Sequence, residues 1–391
     1  MITRRAFVGG IAGGLLLGRH TLGEAVASER STLELTIANA TDYRGDSIWC
    51  YVVGTDLSSG RSSYVNARGE LIHCGLADNG SGGFTDYGLP LKRAGTTRLT
   101  IPRMSGRVYF SIGEKLRIKV VEAEQAGGVG LQMPAGWVES DPNYHILHDW
   151  IEFTFDQHGM HCNSTMVDMF SVPLAIRLTG KNDQSAGELL EGGRSKIFAA
   201  LAAHADFRSL IVGENLRAIA PGHGINAGRF SATYLDPYIA ECWRHYQSHE
   251  LTVNNDVFKS FIGRVDAATG QFTFSQSGQP AVSFAMPTTR DVLFCDGALA
   301  APNNAGGAIA AVLGAALNRT TLGEIAQQPE TDPATFYRTK LTNHYSRIMH
   351  EHSRDGRAYG FAFDDVAGLA SYISDPQPRS LAITLGPMAK V

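Results

Sequence analysis

Cysteine is scarce: the chain has five in 391 residues, at positions 50, 74, 162, 242 and 295, too few for a disulfide scaffold. Charge is scarce too. Charged residues make up 18% of the chain, the formal net charge is −4, and no run of five or six like charges occurs. That balance gives no electrostatic footprint for nucleic acid, which is not an expected partner. Several catalytic signatures are also missing. There is no Gly-x-Ser-x-Gly elbow, so serine-hydrolase chemistry lacks its usual mark. The Gly-rich pieces Asn79-Gly-Ser-Gly-Gly83 and Gly127-Gly-Val-Gly130 lack the Lys-Ser/Thr ending of a phosphate loop and read as turns. The pairs His145/His148 and His158/His161 have a spacing known from zinc sites, but no third and fourth ligand stands out. No metal and no organic cofactor is expected. Internal repeats, heptads and long low-complexity tracts are absent as well.

Apart from these absences, the N-terminus carries a recognisable pattern. Thr3-Arg-Arg-Ala-Phe-Val8, an apolar Gly-rich run to Leu17 and the small-residue pattern Ala25-Val26-Ala27 read as an export signal over residues 1–27, not as a membrane span. The twin arginine resembles the signal of the bacterial twin-arginine pathway; an ordinary secretory signal that happens to hold two arginines is the alternative. The mature protein is then expected to be secreted, monomeric and free of the membrane. Export permits oxidation, and Cys50–Cys74 with Cys242–Cys295 are the preferred pairings, leaving Cys162 over; buried free thiols are the other reading.

From Thr32 to about Leu178 short strands alternate with Gly, Asn, Asp and Pro turns: Leu33–Ile37, Ile48–Val53, Thr97–Ile101, Arg107–Ser111 and Leu116–Val120. Strands without intervening helices argue for a sandwich or barrel. Helices are then expected at Gly187–Ala203, Asp236–His249, Asn303–Leu317 and Asp332–His352. Strands are expected at Lys259–Val265, Gln271–Ser275, Ala281–Met286, Asp291–Cys295, Ala358–Phe363 and Ser380–Leu385. The order suggests a mixed α/β domain, residues 181–355, inserted into an all-β domain made of 28–180 and 356–391.

The stretch Trp150-Ile-Glu-Phe-Thr-Phe-Asp156 alternates with the period of a strand that buries one face. Ile151, Phe153 and Phe155 would enter a core, leaving Trp150, Glu152, Thr154 and Asp156 on the other side. A second strand, Thr165–Phe170, would carry Asp168 opposite Glu152. Two carboxyls across a groove are what glycoside hydrolysis needs: one protonates the departing oxygen, the other activates water or attacks the sugar. Trp150 could stack on a pyranose ring, and Asn163-Ser164-Thr165, a glycosylation sequon in form, could supply polar contacts in the groove. Trp49, Trp137 and Trp243 are as compatible with a core.

Asp149-Trp-Ile-Glu-Phe-Thr-Phe-Asp156, Asn163-Ser-Thr-Met-Val-Asp-Met-Phe170 and Pro173 resemble the signature of glycoside hydrolase family 64. The likeness continues in Ser105-Gly-Arg-Val-Tyr-Phe-Ser111, Asn318-Arg-Thr-Thr-Leu322 and Tyr359-Gly-Phe-Ala-Phe-Asp-Asp-Val366. It implies a bacterial endo-β-1,3-glucanase: a thaumatin-like β domain, an inserted α/β domain, a wide groove between them, and cleavage of β-1,3-glucan with inversion to short oligosaccharides such as the pentasaccharide. By the same resemblance Glu152 is the general acid and Asp168 the general base. Thr154, Asp156 and Thr165 match sugar-contacting positions, and His161 stands where the family usually has a stacking tryptophan. Asp364 and Asp365 fall in a second acidic motif that borders the groove or is structural. The surroundings of Glu152 read as aromatic and apolar, which favours its protonated form. A thaumatin-like glucan-binding protein without turnover is the alternative; such modules usually lack the inserted domain.

Overall fold

The computed structural model describes residues 30–123, 128–255 and 258–388, so the expected signal over residues 1–27 lies outside the described residues. Alternating side chains build two sheets that pack face to face. In the strand Thr32–Asn39, Leu33, Leu35 and Ile37 are buried while Thr32 and Glu34 are exposed. That strand belongs to a five-stranded sheet in the order Gln184–Ala186, Leu174–Thr179, Ser380–Leu385, Thr32–Asn39, Thr97–Pro102. Ser380–Leu385 runs parallel to Thr32–Asn39 and antiparallel to Leu174–Thr179.

The larger sheet runs Tyr372–Asp375, Gly159–Ser164, Leu147–Asp156, Met104–Ile112, Ile48–Thr55, Ser62–Val65, Leu71–His73, with Leu89–Pro90 paired to Ile48–Thr55. Facing residues of the two sheets share one core that includes Leu35, Ile37, Val52, Val108, Phe110, Ile151, Phe153, Phe155, Leu381 and Ile383. Among the described residues neither sheet closes on itself, so the architecture is mainly β with open sheets and added helices, not a closed barrel. Gly54 and Gly106 sit opposite each other where Ile48–Thr55 meets Met104–Ile112. A Cβ on either would overlap backbone of the facing strand, so only glycine lets these strands close up beside Arg107.

The other face of the larger sheet is not bare. Tyr51, Tyr109 and Trp150 enter a second core with the helices α1 (Gly193–Ala203), α2 (Pro221–Asn226), α3 (Asp236–His245), α4 (Thr289–Phe294), α5 (Ala305–Asn318) and α6 (His344–His352). Besides a two-stranded ribbon of Lys119–Glu122 and Val129–Gln132, two further sheets accompany them. One joins Met169–Phe170, Arg217–Ile219 and Ile211–Val212, and the other runs Gln279–Phe284, Phe272–Gln276, Lys259–Val265, Leu251–Asn255, Gln327–Gln328. Among the described residues, no helix is long and apolar enough to cross a membrane.

Several expected elements take another form. Asp291–Cys295 is not a strand: Thr288 Oγ1 accepts from Asp291 N at 3.2 Å and Asp291 Oδ2 accepts from Thr288 N at 3.0 Å, a capping box that starts α4. The helix expected from Gly187 begins at Gly193, because Gly187 and Gly192 have φ of 78° and 64°. Of Asp332–His352, Pro333–Thr335 forms a 3₁₀ turn and His344–His352 the helix α6. Leu116–Val120 contributes only its end to the strand Lys119–Glu122, and Ala358–Phe363 is irregular.

All five thiols are free and buried, which overturns the expected Cys50–Cys74 and Cys242–Cys295 pairings. Cys50 points into the core between the two sheets, whereas Cys74 lies in the second core, on the other side of the larger sheet. Cys242 packs against Tyr238, while Cys295 Sγ is 3.8 Å from Asn318 Nδ2, and burial pushes both thiols up to about 12.

Candidate active site

The register of the strand Leu147–Asp156 sets the site. Glu152 lies opposite Arg107 on one neighbouring strand and opposite Asn163 on the other, so the three share a face. Arg107 donates to Glu152 Oε1 from Nε at 3.0 Å, with Nη2 2.8 Å from the same oxygen, and its Nη1 donates to the Tyr109 hydroxyl at 3.0 Å. Asn163 Nδ2 approaches Glu152 Oε2 at 3.5 Å. The hydrogen-bonding partners of the Glu152 carboxyl are thus a guanidinium and an amide, with Tyr109 and Tyr359 near enough to feel its charge, so its surroundings are polar as well as aromatic.

Asp168 arrives by a different route. Only Met169–Phe170 of the expected strand Thr165–Phe170 is extended and paired, and Asp168 sits in the loop just before it. Met169 and Phe170 pair with Ile219 and Ala218, and the Asp168 carbonyl accepts from Ala220 N at 2.9 Å. The helix α2 begins at the next residue and brings His223 to Asp168, Nε2 to Oδ1, at 2.8 Å. Oδ2 of Asp168 is 3.8 Å from Arg107 Nη2, so one guanidinium nitrogen reaches both carboxyls. Burial alone would raise the pKa of Asp168, but the His223 hydrogen bond and the charges of His223 and Arg107 outweigh it and hold the carboxyl below the usual range. For Arg107, burial works against its charge, yet Tyr109, Glu152 and Asp168 together hold it firmly protonated.

The remaining expected residues divide. Trp150 does not offer a stacking face: it is 1% exposed, with the Arg107 guanidinium 4.8 Å over its ring and Tyr109 and Trp137 beside it. Arg107 and Tyr109 of the neighbouring strand, together with Trp137, thus cover the ring that the sequence leaves open. Thr154 and Thr165 are buried; Thr154 Oγ1 is 2.8 Å from Ser105 Oγ, and Thr165 Oγ1 accepts from Val167 N at 3.3 Å. Asp156 is half-buried and accepts from His158 N at 2.7 Å, closing the turn to the next strand. His161 Nδ1 is 2.6 Å from the Tyr372 hydroxyl, and the two rings stack. Asn163 keeps a buried Oδ1 without a hydrogen-bond partner among the described residues.

The two aspartates of the second acidic motif part company. Asp364 is fully buried and bridges Arg319 Nη2 and His350 Nε2, each at 3.0 Å, so it does not border a groove. Asp365 is half-buried, its Oδ1 has no hydrogen-bond partner among the described residues, and burial pushes it up to about 7. His148 is buried, with its Nδ1 2.8 Å from the Ile146 carbonyl. No group of three or more His, Cys, Asp or Glu able to hold a metal occurs among the described residues.

Three residues of this site are not singled out by the sequence. Arg107 shows there only as part of a motif, though it alternates with Tyr109 along its strand. His223 carries no signal, since nothing in a six-residue helix foretells its meeting with Asp168. Trp137, equally compatible with a core by sequence, stacks on His223 at 4.3 Å.

Buried carboxyls also fix a pH dependence. Burial raises Asp149 and Asp365 to about 7, although Asp149 accepts hydrogen bonds from Trp150 N, Ser171 N and Val172 N. A folded-state value above the unfolded one means that their contribution to stability is fully present below about pH 4 and is lost as pH rises through about 7. Asp168 and Asp364, both lowered, act at the other end and lose stability as pH falls below the usual carboxyl range. The melting temperature is therefore expected to peak in mildly acid solution and fall towards pH 8, with Asp365→Asn flattening the neutral side. A melting temperature constant from pH 5 to 8 would count against this account.

Known proteins resemble this chain in sequence and in fold. The family model described as β-1,3-glucanase matches residues 31–385. A glucan endo-1,3-β-glucosidase of Cellulosimicrobium cellulans is 36% identical over 299 residues, 74% of this chain, and one from an Arthrobacter species matches equally. The chain spans 53% of the length of these relatives. Among solved structures, a laminaripentaose-producing β-1,3-glucanase in complex with laminaritetraose superposes with a TM-score of 0.84 at 36% identity, covering 92% of this chain and all of that one. A β-1,3-glucanase domain from Clostridium beijerinckii gives 0.80 at 28% identity, covering 91% of this chain and 98% of that one. With the match extending over nearly all of the described residues, the chain belongs to glycoside hydrolase family 64, the β-1,3-glucanases.

Proposed function

We propose that this protein is a secreted endo-β-1,3-glucanase that cuts linear β-1,3-glucan internally with inversion and releases short oligosaccharides. The observation that carries the reading is the pair Glu152 and Asp168, brought to one guanidinium nitrogen of Arg107 that reaches both. In the proposed reaction Asp168 Oδ2 takes a proton from water as the water oxygen bonds to the anomeric carbon. The glycosidic C–O bond breaks, and Glu152 delivers its proton to the departing oxygen. Oε2 is the oxygen suited to carry that proton, because Oε1 already accepts from Arg107. Once the proton is gone, the new charge on Glu152 meets a guanidinium already in place, so little reorganisation is needed.

The complex of a related glucanase with laminaritetraose supports the substrate class. The thaumatin-like description is proposed for the two packed sheets, with residues 181–355 as the second wall of the groove. Export by a twin-arginine signal and action as a monomer without metal or organic cofactor complete the proposal. Incubation with laminarin or curdlan, followed by chromatography and proton NMR, tests it: short oligosaccharides with the α-anomer as first product are expected. A β-anomer as first product would exclude inversion. Retention on insoluble glucan with no sugar released at any pH would instead identify a binding protein.

A further inference from the structure

The Asp168 side chain needs a restraint that its backbone does not supply. It occupies a loop, where rotamers are less constrained than on a paired strand, yet a base must present one lone pair to one water. His223 Nε2, 2.8 Å from Oδ1, occupies one carboxyl oxygen, which leaves Oδ2 for water. The imidazole itself is locked. Trp137 stacks on it at 4.3 Å, and Phe294 of α4 meets it edge-on at 5.2 Å. Its Nδ1 is buried with no hydrogen-bond partner among the described residues, so none of them competes through that nitrogen for the ring's orientation. The Asp168 carbonyl is fastened to the same segment through Ala220 N, so backbone and side chain are both tied to the start of α2.

We propose that His223 is the positioning residue for Asp168: it turns the carboxylate so that Oδ2 faces the attacking water. The helical layer thereby supplies part of the base's geometry as well as a wall of the groove. The inference rests on the reading of Asp168 as the base. The other groups facing Asp168 are Arg107, 3.8 Å away on its strand and shared with Glu152, together with the hydroxyls of Tyr109 and of Tyr345 on α6, whose ionisation its charge opposes. Removing His223 leaves all of these in place.

His223→Phe keeps the ring contacts with Trp137 and Phe294 while deleting the donor. On laminarin it is expected to lower kcat by about tenfold to a hundredfold with KM changed less than about threefold, and to move the acid limb of the kcat/KM profile to higher pH. His223→Gln, which retains an amide donor, should recover most of the rate and return the acid limb toward the parent, and it carries the test if the Phe variant does not fold. In the Asp168→Asn background the Phe change should add nothing further. An acid limb unmoved in both variants, or a further loss of the same size in the Asp168→Asn background, overturns the positioning role while leaving the base assignment intact. Full activity of Asp168→Asn alone overturns both.

Discussion

Asp168→Asn is expected to lower turnover on β-1,3-glucan by roughly two to four orders of magnitude, the usual contribution of a positioned acid or base. The change preserves shape, and its neighbours Arg107 and His223 remain, so circular dichroism should report a native fold. What disappears is the negative oxygen that takes the proton from water. A substrate with an activated leaving group should not restore the rate, because departure of the leaving group is not the step that suffers. Glu152→Gln should fall by a comparable factor and yet recover in part on that same substrate, which needs little protonation. The two responses differ in kind, so measuring both variants on both substrates separates acid from base. Near-parental activity of both, with folds intact, would show that another pair does the chemistry.

Asp364→Ala is expected to cost about 3–5 kcal/mol of stability, the range found when one partner of a buried ion pair is removed. The Asp364 carboxyl is fully buried and serves Arg319, His350, Ser346 Oγ at 3.2 Å and Gly360 N at 2.9 Å. Arg319 would retain its bonds to the carbonyls of Val366 and Asp364 but lose its counter-charge in a site that is 2% exposed. The effect should extend to the segment Tyr359–Val366, which Arg319 and Gly360 tie down. An unfolding free energy from denaturant titration that falls by less than about 1 kcal/mol would show that the network is dispensable.

These expectations differ in how far the chain's order of residues reveals their basis. The period of two through Trp150–Asp156 is legible, and it places Ile151, Phe153 and Phe155 in the core between the sheets. It also puts Glu152 on the opposite face. Periodicity assigns a face but not what covers it, which is why Trp150 reads as open in the sequence while Arg107 and Trp137 enclose it in the fold. Asp168 is legible as the second carboxyl and its role as base comes from the resemblance, while its loop and its partner His223 depend on pairing between Met169–Phe170 and Arg217–Ile219, a contact distant in sequence. The helix α4 looks like a strand because Val292, Leu293 and Phe294 form a short apolar run; the Thr288 and Asp291 capping pair, three residues apart, is the local signal to weigh against them. The cysteines mislead for a similar reason, since spacing says nothing of which side of a sheet each thiol faces.

The position of Ser380–Leu385 has a consequence for how the protein assembles during synthesis. This strand lies between Thr32–Asn39 and Leu174–Thr179, so both neighbours leave the ribosome long before it and wait with an unpaired edge. The intervening segment, richer in local helical contacts, can settle first, whereas the smaller of the two packed sheets is completed only when Ser380–Leu385 is released. Until then its hydrogen-bonding edges are exposed to other nascent chains, and a cell making this protein must shield them or finish it quickly.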